Sequence, residues 1–175
     1  MKRLIKGTAF WAVIATILLT VLYQKTGNGI CLSAAITAGT ISYHFLMRLA
    51  VGGLYQKVMH NQANLSAGWY QSKKWEQKLY HVLRVKRWKK MMPTYEPDFF
   101  DLRKHTPEEV AGAMCQAELG HETIAVLSFL PLLAVPAFGA FWVFFFTSVA
   151  AAVFDLIFVV MQRYNRPRIM RLVKH

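Results

Sequence analysis

The amino-acid sequence predicts an all-α polytopic membrane protein, with about four transmembrane helices plus a basic interfacial helix. Three observations carry this expectation. Charged residues make up 17% of the 175-residue chain and hydrophobic ones 55%, against about 25% charged in an average soluble domain. The apolar residues fall in long blocks instead of alternating with polar ones. The 21 Lys and Arg crowd the flanks of those blocks, which is the asymmetry that orients membrane helices.

A hydrocarbon layer of about 30 Å needs roughly 20 helical residues. Residues 4–23 form the first such block, preceded by Lys2, Arg3 and Lys6. Gln24 to Asn28 then read as a tight turn, not as the small-x-small cleavage site of a signal peptide. The second span covers 29–55. The apolar run 123–161 is too long for one helix and holds Pro131, Pro136 and Gly139, so it divides into spans at 122–136 and 139–161. Segment 56–121 carries eleven Lys and Arg, and the tail 162–175 carries Arg163, Arg166, Arg168, Arg171 and Lys174. The short turns on the other side hold only Lys25. These charges place both termini and the middle segment in the cytoplasm, in a multi-pass protein of the cell membrane. The polar segment is too short and too basic to bury a core of its own, so 1–175 is expected to be a single membrane domain.

The same map accounts for the net charge of +12. A basic flank beside a span needs no nucleic acid, and membrane lipid is the expected partner. Cys31 and Cys115 fall in different blocks and read as free thiols. Within the middle segment, Lys73 to Lys90 predicts a basic helix with Trp75, Leu79, Val82, Leu83 and Trp88 at roughly helical spacing. Such a helix lies flat among headgroups, and Pro93 ends it. Thr106-Pro107-Glu108-Glu109 then predicts an N-cap, a proline at the first helical position and a capping box. With no breaker before Pro131, this helix continues into the third span and carries Glu118, His121 and Glu122 to the membrane surface.

Those three residues share one helix face at i, i+3 and i+4. A carboxylate beside an imidazole suits general-base chemistry, and a polar collar at the interface would have the same spacing. Glu118-x-x-His121 is also the spacing of carboxylate-bridged di-iron bundles, but the sequence has no second copy. A single metal would have to draw on His105 as well, and no metal or bound cofactor is expected. His44 and Arg48 share a face of the second span, while Asp155 lies inside the fourth. A charge at that depth costs about 3 kcal/mol on insertion scales and turns toward protein or water, so an Arg48–Asp155 pair is expected. In Gln162 to Arg168, three arginines alternate with amide and phenol groups. That mix serves as a snorkelling anchor or as a grip on phosphate or carboxylate.

Four segments occur in order: Val85-Lys86-Arg87-Trp88-Lys89, Phe100-Asp101-Leu102-Arg103, Ala117-Glu118-Leu119-Gly120-His121, and Gln162 to Arg168. Together they resemble the glycosyl-4,4'-diaponeurosporenoate acyltransferase family, the staphyloxanthin-type membrane enzymes, over the half of the chain from Tyr80 onward. The resemblance implies esterification of a fatty acyl group onto a sugar hydroxyl of a glycosylated, carotenoid-like lipid. It implies an acyl-CoA or an acyl carrier protein as donor. His121 would be the general base and Glu118 its orienting acid. Trp88, Lys89, Asp101, Arg103, Gln162, Arg163, Tyr164, Asn165 and Arg166 would hold substrate. One position departs: Gln116 stands where the family tends to carry Arg before the Ala-Glu pair, which bears on a charge contact there. The chain has neither a Gly-rich phosphate loop nor a Gly-x-Ser-x-Gly elbow. The acyl chain is therefore expected in an apolar groove of the third and fourth spans, lined by Phe129, Phe138, Phe141, Trp142, Phe144, Phe145 and Phe146. Pro167 is expected to end the last helix and turn Arg163 and Arg166 toward Glu118 and His121.

A non-enzymatic lipid-binding or interaction subunit and a membrane methyltransferase are the alternatives. Incubation of purified protein with an acyl donor and a glycolipid is expected to yield an ester. Acyl-CoA or acyl carrier protein should protect the site where S-adenosylmethionine does not. Protection by S-adenosylmethionine would transfer the reading to the methyltransferase, and the absence of ester would favour the subunit.

Overall fold

The structure is a computed structural model that describes residues 2–173; Met1, Lys174 and His175 lie outside it, and with them the tail charge at Lys174. All regular structure among the described residues is helical. The helices are α1 (Lys2–Thr26), α2 (Gly29–Met59), α3 (Lys74–Val82), α4 (Val85–Trp88), α5 (Pro107–Leu127), α6 (Val135–Phe138) and α7 (Phe141–Met170). Four stretches are long and apolar enough to cross a membrane: Arg3–Thr26, Gly29–Met59, Pro107–Phe138 and Phe141–Met170.

Each boundary has a local cause. Gly27 takes a left-handed φ of 63° after α1, a conformation that glycine adopts without a Cβ clash, and its N–H closes on the Tyr23 carbonyl at 2.8 Å. Asn28 then caps α2, its Oδ1 accepting the Ile30 N–H at 2.9 Å. At the start of α5 the capping box is reciprocal. The Thr106 N–H donates to Glu109 Oε2 at 2.9 Å, and the Glu109 N–H donates to Thr106 Oγ1 at 3.3 Å. The bend between α5 and α7 contains Pro131, a 3-10 turn over Leu130–Ala134 and the left-handed Gly139 at φ 64°.

Two expected elements differ. The basic helix is broken: α3 ends at Val82, Arg84 takes a left-handed φ of 50°, and α4 restarts at Val85. Val85 is fully buried while Val82 is 75% exposed, so the break turns one apolar residue inward where a continuous helix would carry both along its surface. The last helix does not stop before Pro167 but runs through it to Met170. Proline removes one backbone donor and crowds the carbonyl four residues back. Here the Arg168 guanidinium supplies a donor to the neighbouring Tyr164 carbonyl and lies over the Tyr164 ring at 3.5 Å.

The chain divides into two compact units, one of Lys2–Val51 with Ile124–Phe154, the other of Gly52–Thr123 with Asp155 onward. In the first, α1 and α2 approach through small residues. The Thr16 and Ser42 hydroxyls lie 3.2 Å apart, and Gly39 sits against the Thr16 methyl. The Tyr43 hydroxyl donates to the carbonyl of Leu127, the last residue of α5, at 2.7 Å. Arg48 donates to the carbonyls of His44 at 3.1 Å and Ala151 at 3.4 Å. The expected aromatic groove takes another form. Phe129, Phe138, Phe141, Trp142 and Phe146 are exposed, and Phe144 is buried. Side chains four apart stack along the helix, Phe141 on Phe145 and Trp142 on Phe146, with centroids at 5.6 and 5.5 Å. These rings form an outward ladder suited to lipid tails.

In the second unit, residues 110–116 of α5 are buried without interruption, as in a helix enclosed on all sides. The chain reverses after α2 through two left-handed non-glycine residues, His60 (φ 51°) and Asn61 (φ 60°). Gln116 holds this reversal: its Oε1 accepts the Asn61 N–H at 2.7 Å, and its Nε2 donates to Gln56 Oε1 at 2.8 Å. A neutral amide can both donate and accept here, whereas a guanidinium only donates. Gly112 lies directly beneath, and a Cβ there would collide with the Asn61 carbonyl oxygen. Gly112→Ala is expected to destabilise the protein by about 1–3 kcal/mol, read as a lowered Tm in detergent. An unchanged Tm would show that the reversal can move aside.

Candidate functional site

The second unit gathers most of the chain's buried charge. Glu118 on α5 is completely buried, and a lone carboxylate there would be strongly destabilising. Two arginines from α7 meet it, one residue per helical turn: Arg163 Nη1 donates to Oε1 at 2.5 Å, and Arg166 Nη1 donates to Oε2. Arg163 also reaches Glu76 of α3, through Nη2 at 2.6 Å and Nε at 3.2 Å, and donates to the carbonyls of Trp69 and Gln71 at 2.9 and 3.3 Å. Arg166 donates to the Tyr70 carbonyl at 2.5 Å and lies 5.2 Å from the centre of its ring. Tyr80 completes the network, its hydroxyl donating to Glu76 Oε2 at 2.6 Å. Burial raises the Glu76 pKa, but hydrogen bonds from Arg163 and Tyr80 and the Arg163 charge hold it below its ordinary 4.5. Burial, and then Glu76, push the Tyr80 hydroxyl well above the phenol range, so it stays a donor.

His121 belongs to a different pair. Its Nδ1 lies 2.8 Å from Oδ1 of Asp155, which is 1% exposed, and its ring stacks on Phe158 with centroids 4.6 Å apart. Asp155, not Glu118, is therefore the acid that orients this imidazole. Glu118 and His121 share a face, as the spacing requires, but guanidinium groups occupy both oxygens of Glu118. With Nδ1 on the carboxylate, Nε2 is the ring nitrogen directed away from it. Glu122 accepts from the Trp69 indole at 3.0 Å.

The other expected residues divide into two groups. Lys89 donates to Asn165 Oδ1 at 2.6 Å and lies 4.9 Å from the centre of the Tyr164 ring. Tyr164 is buried edge-on to Tyr80 at 5.4 Å, Gln162 is buried beside them in sequence, and Trp88 folds back on the Leu83 carbonyl at 2.8 Å. Burial, with the charges of Arg168, Lys90 and Lys86, lowers the Lys89 pKa. Asp101 and Arg103 do not join them. Asp101 accepts from both the backbone and the guanidinium of Arg103, whose side chain is 89% exposed. An acid two residues before an arginine satisfies it within the turn. Among the described residues no hydrogen bond or ion pair links either to Glu118 or His121. His105 pairs locally with Glu109 at 3.5 Å, away from His121, and no three His, Cys, Asp or Glu residues converge as metal ligands among the described residues.

Two clefts open on this unit, and Tyr80 and Arg163 line both. The smaller, of about 460 Å³, is faced by Trp69, Trp75, Lys73, Glu122 and Val159. The larger, of about 670 Å³, lies between α3–α4 and the end of α7 and is strongly basic. The sequence argument missed Glu76, Tyr80 and Trp69. Glu76 carries a readable signal, being the one acid in a run of lysines and arginines from 73 to 90; Trp69, an isolated aromatic in a polar loop, has none.

Arg163→Lys with Arg166→Lys keeps the charge but loses the planar fork that serves two carboxylates and three carbonyls. We expect this double variant to lose about 2–5 kcal/mol of stability, measured as a lowered Tm. An unchanged Tm would reduce the two arginines to point charges.

A family model for glycosyl-4,4'-diaponeurosporenoate acyltransferase matches residues 66–175. The match takes in Trp69, Glu76, Glu118, His121, Asp155, Arg163 and Arg166, and leaves out α1 and α2. No curated protein and no solved structure matches the chain. The family match spans well over half of the sequence, and the chain belongs to the glycosyl-4,4'-diaponeurosporenoate acyltransferase family.

Proposed function

We propose that this protein esterifies a fatty acyl group onto a sugar hydroxyl of a glycosylated, carotenoid-like lipid, with His121 as general base and Asp155 as its orienting acid. One observation carries the residue assignment: an imidazole still 26% exposed, bonded at 2.8 Å to a carboxylate that is 1% exposed. Such a pair fixes the ring tautomer and steadies the imidazolium that forms when a proton is taken. Stacking on Phe158 holds the plane of the ring.

In this reaction the acceptor hydroxyl oxygen bonds to the thioester carbonyl carbon as its proton passes to His121 Nε2. The tetrahedral intermediate collapses, the C–S bond breaks, and the departing thiolate takes the proton from the imidazolium. Ester and thiol are the products. The donor is acyl-CoA or an acyl carrier protein. Arg163 and Arg166 position α3, α5 and α7 through the two buried glutamates, because their guanidinium groups are engaged there. The smaller cleft suits the sugar of the acceptor. Trp69 and Trp75 offer apolar ring faces, and Glu122, adjacent to His121, offers an oxygen to hydroxyl groups. The basic flanks of the spans support a cytoplasmic location for the site, the side on which thioester donors are made.

His121→Ala is expected to lower the acyl-transfer rate by about 10²–10⁴-fold with the fold retained. Asp155→Asn should lower it in the same direction, because the amide no longer stabilises an imidazolium. A His121→Ala protein that melts normally and transfers acyl groups near the unmutated rate would remove His121 from the mechanism.

A further inference from the structure

The larger cleft has a chemistry that the acyl-transfer reading does not use. Its rim takes Arg84, Lys86 and Arg87 from the break between α3 and α4, and Arg168 and Arg171 from the end of α7. His81 stands among them, with Tyr80 and Tyr164 on the wall. Two local distortions bring these cations together. The left-handed Arg84 turns α4 back toward α7, and the continuation of α7 through Pro167 keeps Arg168 and Arg171 in helical and 3-10 register.

Among the described residues no hydrogen bond or ion pair with a carboxylate offsets the charge of Arg84, Lys86, Arg87, Arg168 or Arg171. Arg163, which also lines the cleft, is engaged by Glu76 and Glu118. The depressed pKa of the adjoining Lys89, lowered by burial and then by Arg168, Lys90 and Lys86, is a second sign of the crowding. Like charges held in a concave site by folded backbone repel one another, and an anionic ligand relieves that repulsion. A volume of about 670 Å³ lies within the range of roughly 300–1,000 Å³ for small-molecule sites. Five cations on two sides of a recess exceed what a single phosphate needs, and a recess is a poor match for the convex face of a protein donor.

We propose that this basic cleft binds the phosphorylated adenosine head of a coenzyme A thioester, its arginines and lysine taking the diphosphate and the separate ribose phosphate. The proposal rests on the acyl-transfer reading and selects its donor. Arginine forks suit phosphate oxygens, and the half-buried Tyr80 ring beside them suits contact with a flat base. The pantetheine arm would then leave the cleft past Tyr80 and Arg163, the two residues that also line the smaller cleft.

The test is binding at equilibrium, by calorimetry on the full chain in nanodiscs of neutral phosphatidylcholine. Probes are coenzyme A, dephospho-coenzyme A, acyl carrier protein and dihexanoylphosphatidylglycerol below its micellar concentration. Coenzyme A should bind, more weakly at higher salt. Loss of the ribose phosphate should weaken binding about tenfold, as should Arg84→Asn with Arg171→Gln. Asparagine tolerates the left-handed backbone at 84, and an unchanged Tm would confirm that the variant folds. Arg84→Lys with Arg171→Lys should restore most of the affinity. His121→Ala should leave coenzyme A binding intact, so failure of the base assignment and failure of this site are separable. Absence of coenzyme A binding would overturn the proposal, as would binding indifferent to Arg84 and Arg171. Tighter binding of acyl carrier protein would assign the cleft to a protein donor, and tighter binding of dihexanoylphosphatidylglycerol would assign it to a lipid headgroup; either result overturns the proposal.

Discussion

The structure of the polar unit depends on the burial of one charge. Glu118 sits on a helix that is apolar around it, with no exposure of its own. Moving a carboxylate into such surroundings is unfavourable by several kcal/mol unless cations and hydrogen bonds meet every oxygen. Arg163 and Arg166 meet it from one face of α7, and those two guanidinium groups then present unfilled N–H donors. Glu76 and the carbonyls of Trp69, Tyr70 and Gln71 accept them. Each partner recruits the next, until the short turn at 68–70 and α3 are tied to two long helices. Order in residues 68–82 thus derives from a demand created at position 118.

This arrangement also gives neighbouring positions on one helix different surroundings. Positions 118, 121 and 122 lie on one face of α5, yet each meets a different neighbour: guanidinium groups at 118, a carboxylate at 121, an indole at 122. Arginine is a permanent cation and fully neutralises Glu118. His121 meets a separate carboxylate, Asp155, which no arginine of this network shares.

The long elements were readable because membrane physics writes them in large letters. Blocks of some twenty apolar residues, flanked by Lys and Arg, have one structural solution, and the capping box at Thr106 to Glu109 is local chemistry confined to four residues. The family signature at Ala117 to His121 and Gln162 to Arg168 located the α5–α7 meeting point. It did not locate the partners, because helical phase says which side chains share a face and not what faces them. Asp155 stood out as a charge within an apolar span, but its proximity to His121 depends on tertiary packing. The break at Arg84 escaped for a related reason. Arginine is an ordinary helix former, and only the need to bury Val85 makes a left-handed residue worthwhile there. Pro167 misled in the opposite sense, since a helix end near water with a long cationic side chain beside it can accommodate a lost backbone bond.

The reversal after α2 bears on the order in which the chain assembles. His60 and Asn61 hold an unfavourable backbone that becomes satisfied only when Gln116, 55 residues later, supplies its amide oxygen to Asn61. During synthesis the first two spans therefore leave the ribosome with their exit turn unsealed. The seal and the Glu118 ion pairs belong to the same helical turn and a half of α5. Docking that short stretch both locks the hinge and delivers the carboxylate that α7 must neutralise. In the folded protein the hinge and the buried carboxylate are thus coupled through neighbouring residues of one helix.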